Sequence, residues 1–135
     1  MKITTVVVDD DEVDRYVVKR KLGRRDEFGK VLEARSGQQF IDQVDQGLLA
    51  GEPENPLVLM DINMPGLNGF ETVSALQARV EDGTLPSTLV VMMFTSSSNP
   101  SDRARAESLP IVAGYVVKPL DDTDVAEILR LYEAR

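Results

Sequence analysis

Short runs rich in apolar and β-branched residues alternate five times with helical patterns along this chain, and that alternation constrains the fold more than anything else. The runs lie at 3–8, 30–34, 57–60, 89–94 and 115–117, each of strand length and too short for a helix. Between them apolar residues return at helical spacing: Val13, Val17, Val18 and Leu22, then Phe40, Ile41, Val44 and Leu48, then Phe70, Val73, Leu76 and Val80. The last run is followed by Val125, Ile128, Leu129 and Tyr132 at the same spacing. Helix signals punctuate the pattern. Gly23 and Glu81-Asp82-Gly83 read as stops, Ser36 as a cap, and Ser98 or Asn99 as a cap ahead of Pro100 in the weakly apolar fourth helix. Asp121 or Thr123 starts the closing helix. Strands separated by helices must run parallel, so the chain is expected to form an α/β doubly wound five-stranded parallel sheet with helices on both faces. No linker or repeat interrupts it, and residues 1–135 read as a single domain.

Composition removes several chemistries. Cysteine and histidine are both absent, which excludes disulfides, thiolate or imidazole metal ligands, and Ser-His or Cys-His nucleophile systems. A net charge of −8 disfavours direct contact with nucleic acid or an anionic membrane surface. The apolar stretch Val6-Val7-Val8 is too short for a signal peptide or a membrane span. The expectation is a soluble, cytoplasmic protein.

In a doubly wound sheet ligands bind outside the carboxyl ends of the strands, so the residues standing there matter most. They are Asp9-Asp10-Asp11 after the first strand, Asp61 after the third, Thr95-Ser96 after the fourth and Lys118-Pro119 after the fifth. Singly each has a plain structural reading: Asp11 and Glu12 suit a helix start, Thr95 a loop cap, Asp61 a turn cap, and Lys118 a surface charge. Together they bring acids, a hydroxyl and a lysine to one rim. Carboxylates without histidine or cysteine suit a hard cation, Mg²⁺ by default. A cation beside an ammonium and a hydroxyl suits a phosphoryl group, and with no other nucleophile in reach a carboxylate must accept it.

Four motifs, VVVDDDEVDR, MDINMPGLNG, MFTSS and GYVVKPL, occur in this order at the four strand ends, and with them the chain resembles the receiver domains of two-component response regulators over essentially its whole length. The resemblance implies a flavodoxin-like strand order 2-1-3-4-5. It implies Asp61 as phosphoacceptor, Asp10 as a direct Mg²⁺ ligand, Asp9 acting mainly through water, and the main-chain carbonyl of Asn63 as a further ligand. Lys118 is then the phosphoryl's ion-pair partner, Thr95 its hydrogen-bond donor, and Tyr115 the switch aromatic. Asn63 and Ser97 fall where side chains border the path of attacking water. The implied partners are a histidine kinase or histidine phosphotransfer protein and a downstream protein bound on the face of the fourth helix, fifth strand and fifth helix. There are two departures: Asn68 stands where the family often has aspartate, and 107–113, with Pro110, lacks the usual Gly-Ala pair. The closing helix reaches Arg135 with no output module behind it. That is the pattern of a stand-alone, chemotaxis-regulator-like receiver, or of a receiver cut from a longer protein.

The function expected is a phosphorylation-controlled signalling switch rather than a turnover enzyme. One rival is a haloacid-dehalogenase-like phosphatase with Asp9 as nucleophile and Asp11 as acid, which needs further acidic ligands and a cap insertion that the sequence does not display. Another is an adaptor that keeps the fold without phosphorylation, disfavoured because every acceptor-site residue is present. An EF-hand fails for want of its central glycine and terminal ligands.

Overall fold

The structure, a computed structural model, describes residues 2–50 and 55–134. Its five strands, β1 (Ile3–Val8), β2 (Phe28–Ala34), β3 (Leu57–Met60), β4 (Val90–Thr95) and β5 (Val112–Val117), alternate with five helices. These are α1 (Glu12–Leu22), α2 (Gly37–Asp45), α3 (Gly69–Glu81), α4 (Pro100–Glu107) and α5 (Asp122–Ala134). The sheet is parallel throughout, in the order β2-β1-β3-β4-β5, so the expected doubly wound fold is the observed one. Arg135, where the closing helix was expected to end, lies outside the described residues.

Alternate strand residues serve two cores. Val6, Val8, Val58, Met60, Val91 and Met93 face α2, α3 and α4, where they meet Phe40, Phe70 and Leu76. Ile3, Val7, Leu57, Leu59, Met92 and Phe94 face α1 and α5, where they meet Val18, Leu22, Ile128 and Leu129. Because β1, β3 and β4 are buried on both faces, they read in sequence as unbroken apolar runs rather than alternating ones.

Several boundaries differ from expectation. β2 starts at Phe28 rather than 30, and β5 at Val112 rather than 115. In both, a residue beside a glycine is accommodated by a register shift, between Ile3 and Thr5 on β1 and between Val91 and Met92 on β4. Gly29 and Gly114 therefore read as loop while belonging to irregular strand starts. β4 runs one residue past Phe94, so Thr95 is the last strand residue and not part of the loop. Leu48 lies beyond α2, which ends at Asp45.

α1 also presents another face than expected. Its buried residues are Arg15, Val18 and Leu22, while Val13 is 68% exposed. Val13 falls on the opposite side of the helix from that stripe at 100° per residue. Arg15 holds its place by donating from Nη1 to the Asp9 carbonyl at 2.7 Å and from Nε to Glu33 at 3.1 Å.

Capping is explicit at the rim. The Asp11 carboxylate accepts from the Val13 and Asp14 amides at the start of α1. Asn68, the departure from the family pattern, makes a reciprocal capping box with Glu71 at the start of α3. Asn99, of the two candidates, caps α4 with Pro100 in the first turn. Asp121 and Asp124 exchange amide hydrogen bonds at the start of α5.

The loop from β3 to α3 is closed by two glycines. Gly66 follows Pro65 with a positive φ of 74°, a conformation glycine adopts without a side-chain penalty. Gly69 donates its amide to the Ile62 carbonyl at 2.8 Å, and an added Cβ there would run into the Asp61 carbonyl oxygen and the Ile62 Cα. Both obstacles are backbone and cannot rotate aside. Gly69→Ala should therefore cost about 2 kcal/mol or more in urea unfolding; a variant as stable as the wild type would contradict this packing.

Candidate functional site

Register brings the strand ends level. Met60 pairs with Val8 and with Met93, and Thr95 pairs with Val117, so Asp9, Asp61, Thr95 and Lys118 emerge along one edge of the sheet. Asp9 is fully buried, Asp61 is 6% exposed and Thr95 is fully buried, whereas Asp10 and Asn63 are exposed. The Lys118 amide donates to the Thr95 carbonyl at 2.8 Å, which fixes the base of the lysine beside the threonine. The Lys118–Pro119 peptide bond is cis.

The Lys118 ammonium is the centre of the arrangement. It lies 2.6 Å from Asp9 Oδ2, 2.8 Å from Asp14 Oδ2 and 3.6 Å from Asp61 Oδ2, and its side chain is only 11% exposed. Burial opposes its charge, but the hydrogen bonds to Asp14 and Asp9 and the field of Asp61 outweigh it and hold the lysine above its ordinary range. Burial pushes the Asp61 carboxyl up to about 6; the neighbouring Asp9 charge adds to this and Lys118 opposes it. Burial likewise raises Asp9, against the hydrogen bond from Lys118. Two buried acids and one buried lysine thus share a pocket that is short of positive charge.

That shortage bears on a metal. Asp9, Asp10 and Asp61 each offer a carboxylate oxygen, all within 4.8 Å of one another, an all-oxygen donor set that fits Mg²⁺. Asp9 Oδ1 accepts from the Asp11 amide at 2.9 Å, and Oδ2 faces Lys118 at 2.6 Å.

Sequence reasoning did not single out Asp14, Arg15 or Asp102. Asp14 stands four residues after Asp10 in the first turn of α1, where helical spacing turns it back toward the rim; that spacing was the available signal. Arg15, buried and bonded to the Asp9 carbonyl, ties α1 to the strand end. Ser97 does not simply border an open path: its hydroxyl donates to Asp102 at 2.7 Å and accepts from the Asn99 amide at 3.3 Å. The Ser97 carbonyl in turn accepts from the Tyr115 hydroxyl at 2.8 Å. Tyr115 is half-buried, with the Arg103 guanidinium 4.6 Å from its ring centre.

The site is thus a lysine-bridged acidic pocket at the carboxyl edge of a flavodoxin-like sheet. Residues 5–130 match the response regulator receiver domain, and the chain belongs to that family. It is 29% identical over 126 residues to the nitrate/nitrite response regulator protein NarL of Escherichia coli strain K12, covering 93% of this chain and 52% of that protein. It is 29% identical over 117 residues to Protein PilH of Pseudomonas aeruginosa, covering 87% of this chain and 86% of that one. A two-component response regulator from Cytophaga hutchinsonii superposes with a TM-score of 0.86 at 25% identity, covering all of both chains. The chain spans about half the length of the first curated relatives it matches. Its function is that of the family, a phosphorylation-controlled signalling switch, and nothing supports the phosphatase alternative centred on Asp9. Among the described residues no helix is long and apolar enough to cross a membrane.

The pocket's electrostatics has a consequence for stability. In metal-free solution near neutral pH, Asp61 is charged when folded and when unfolded, but its folded value is the higher, so the charge opposes folding. Below the ordinary value of 3.8 it is protonated in both states and the penalty vanishes. Asp61→Asn should accordingly be more stable than wild type by about 1–3 kcal/mol at about pH 7.5, with the margin shrinking as pH falls from about 6 toward 4. Urea unfolding with a chelator present checks this; a margin that persists at about pH 4, or a destabilised variant at neutral pH, contradicts it.

Proposed function

We propose that Asp61 is the phosphoacceptor of this switch, receiving the group from a phosphohistidine on a histidine kinase or histidine phosphotransfer protein. The observation that carries this reading is the buried Asp61 carboxylate at the end of β3, 3.6 Å from the Lys118 ammonium and beside the second buried acid Asp9. In the transfer an Asp61 oxygen forms a bond to phosphorus as the phosphorus–nitrogen bond breaks. The electron pair returns to the imidazole, which takes its proton from solvent. Lys118 moves onto the phosphoryl oxygens, and the Thr95 hydroxyl donates to one of them. Asp10, Asp61 and the Asn63 carbonyl would hold Mg²⁺, with Asp9 acting through water; when bound, the cation neutralises charge on the transferring group. No separate base is needed, because the attacking carboxylate is already ionised near neutral pH.

The same reading makes Thr95 and Tyr115 the switch pair. Thr95 Oγ1 accepts from the Ser97 amide at 3.3 Å, so turning that hydroxyl toward a phosphoryl group changes what holds the loop that Tyr115 also grips. α4 is thinly anchored, with Ala106 its one buried residue, and is free to follow. The downstream protein is placed on the α4–β5–α5 face, where a cavity of about 300 Å³ is lined by Arg103, Glu107, Tyr115, Glu127 and Leu131. The phosphohistidine partner is placed over the first turn of α1. There Val13 and Tyr16, 68% and 63% exposed, are the large hydrophobic side chains that stand out among the described residues. A cytoplasmic location, action by binding rather than turnover, and residues 1–135 working as one receiver unit complete the proposal.

The test is chemical. After phosphorylation by a small donor such as acetyl phosphate with Mg²⁺, borohydride reduction of the acyl phosphate should mark Asp61 in peptide mass spectra. Asp10→Ala should take up at least about tenfold less. Label on Asp9, or full labelling of Asp10→Ala, would overturn the assignment.

A further inference from the structure

Four carboxylates surround the Lys118 ammonium or the space beside it, and one of them has no part in accepting the phosphoryl group or holding a metal. Asp14 stands in the first turn of α1, its side chain 29% exposed, with Oδ2 2.8 Å from Lys118 Nζ. Asp9 lies at 2.6 Å and Asp61 at 3.6 Å. In this arrangement the ammonium donates to Asp14 in α1, pairs with Asp9 just after β1, and stops short of the acceptor.

The backbone under Asp14 is held in place. The turn that carries it is fixed on both sides: Asp11 caps it, and the neighbouring Arg15 is pinned to the Asp9 carbonyl and to Glu33. Glu33 is held in turn by Lys19 at 3.3 Å. An ammonium 2.8 Å from Asp14 and 3.6 Å from Asp61 is shared between them, and holding it at Asp14 competes with bringing it to a group on Asp61.

We propose that Asp14 is a positioning residue that holds Lys118 in the resting arrangement and so weakens anion capture at Asp61. This rests on the reading of Asp61 as acceptor. If instead Asp14–Lys118 were only a strut between α1 and β5, its loss would lower stability and leave anion affinity alone.

Beryllofluoride, a phosphoryl mimic, separates these possibilities. Its dissociation constant would be measured by NMR titration at saturating Mg²⁺, which is titrated separately, for wild type, Asp14→Asn, Asp14→Ala, Asp14→Glu and Asp61→Ala. Thermal unfolding without ligand accompanies each. Asp14→Asn and Asp14→Ala should each bind roughly two- to fivefold more tightly than wild type, the size expected for a partly exposed ion pair. Asp14→Glu should restore wild-type affinity, whatever the order of melting temperatures. Equal or weaker binding by both carboxylate-free variants overturns the inference while leaving the Asp61 assignment standing. Absence of binding by wild type, or undiminished binding by Asp61→Ala, overturns both.

Discussion

One ammonium group holds the functional edge of this protein together. Asp9 and Asp61 are buried carboxylates, and burial alone would push both toward the neutral form. Lys118 supplies the opposing charge, and it can do so only because β5 ends beside β4 with the lysine amide bonded to Thr95. Its own burial is offset by the acids around it. The mutual dependence explains why the pocket is poised rather than neutralised. One cation among Asp9, Asp10, Asp14 and Asp61 leaves a deficit of positive charge that a divalent ion fits, and leaves Asp61 ionised near neutral pH yet weakly stabilised. The fold's contribution is to bring four strand ends to one edge, so that groups far apart in the chain meet without long loops.

The architecture was legible because its cause is repetitive. Strands buried on both faces must be apolar throughout, and Val6-Val7-Val8 or Leu57 to Met60 permits little else. The rim was legible because charged residues directly after such strands have nowhere to go but the edge, and Asp9, Asp10, Asp61, Thr95 and Lys118 all emerge there. Less legible was anything fixed by a single tertiary contact. Val13 looked like part of the buried stripe of α1 until Arg15 took the inward position, which it holds through the Asp9 carbonyl and Glu33 and not through hydrophobicity. Gly29 and Gly114 concealed strand starts because a register shift absorbs them. Asp14 was hidden for another reason: an acid in a first helical turn has an ordinary role with the helix dipole, and only the position of Lys118 gives it a second one.

The far side of the site has the opposite character. α4 buries little, and its link to the pocket runs through polar contacts: Ser97 to Asp102, Tyr115 to the Ser97 carbonyl, and Arg103 over the Tyr115 ring. A second tie joins Arg105 to the ring of Phe70, at 4.3 Å, immediately after the glycine that packs on Asp61. Such contacts exchange at low cost compared with a packed core. Rigid acids and lysine on one side, and a loosely held helix on the other, suit a domain that registers one covalent event and reports it by binding.

The central claim is that Lys118 remains charged because the rim acids hold it. Following the Lys118 side-chain Cε and Nζ resonances with pH in metal-free protein tests this most directly. Lys118 should keep its ammonium form well past the ordinary lysine value of 10.5, after solvent-exposed lysines have titrated. Titration of Lys118 together with or ahead of those lysines would contradict it, because the rim acids would then not outweigh the burial that opposes its charge.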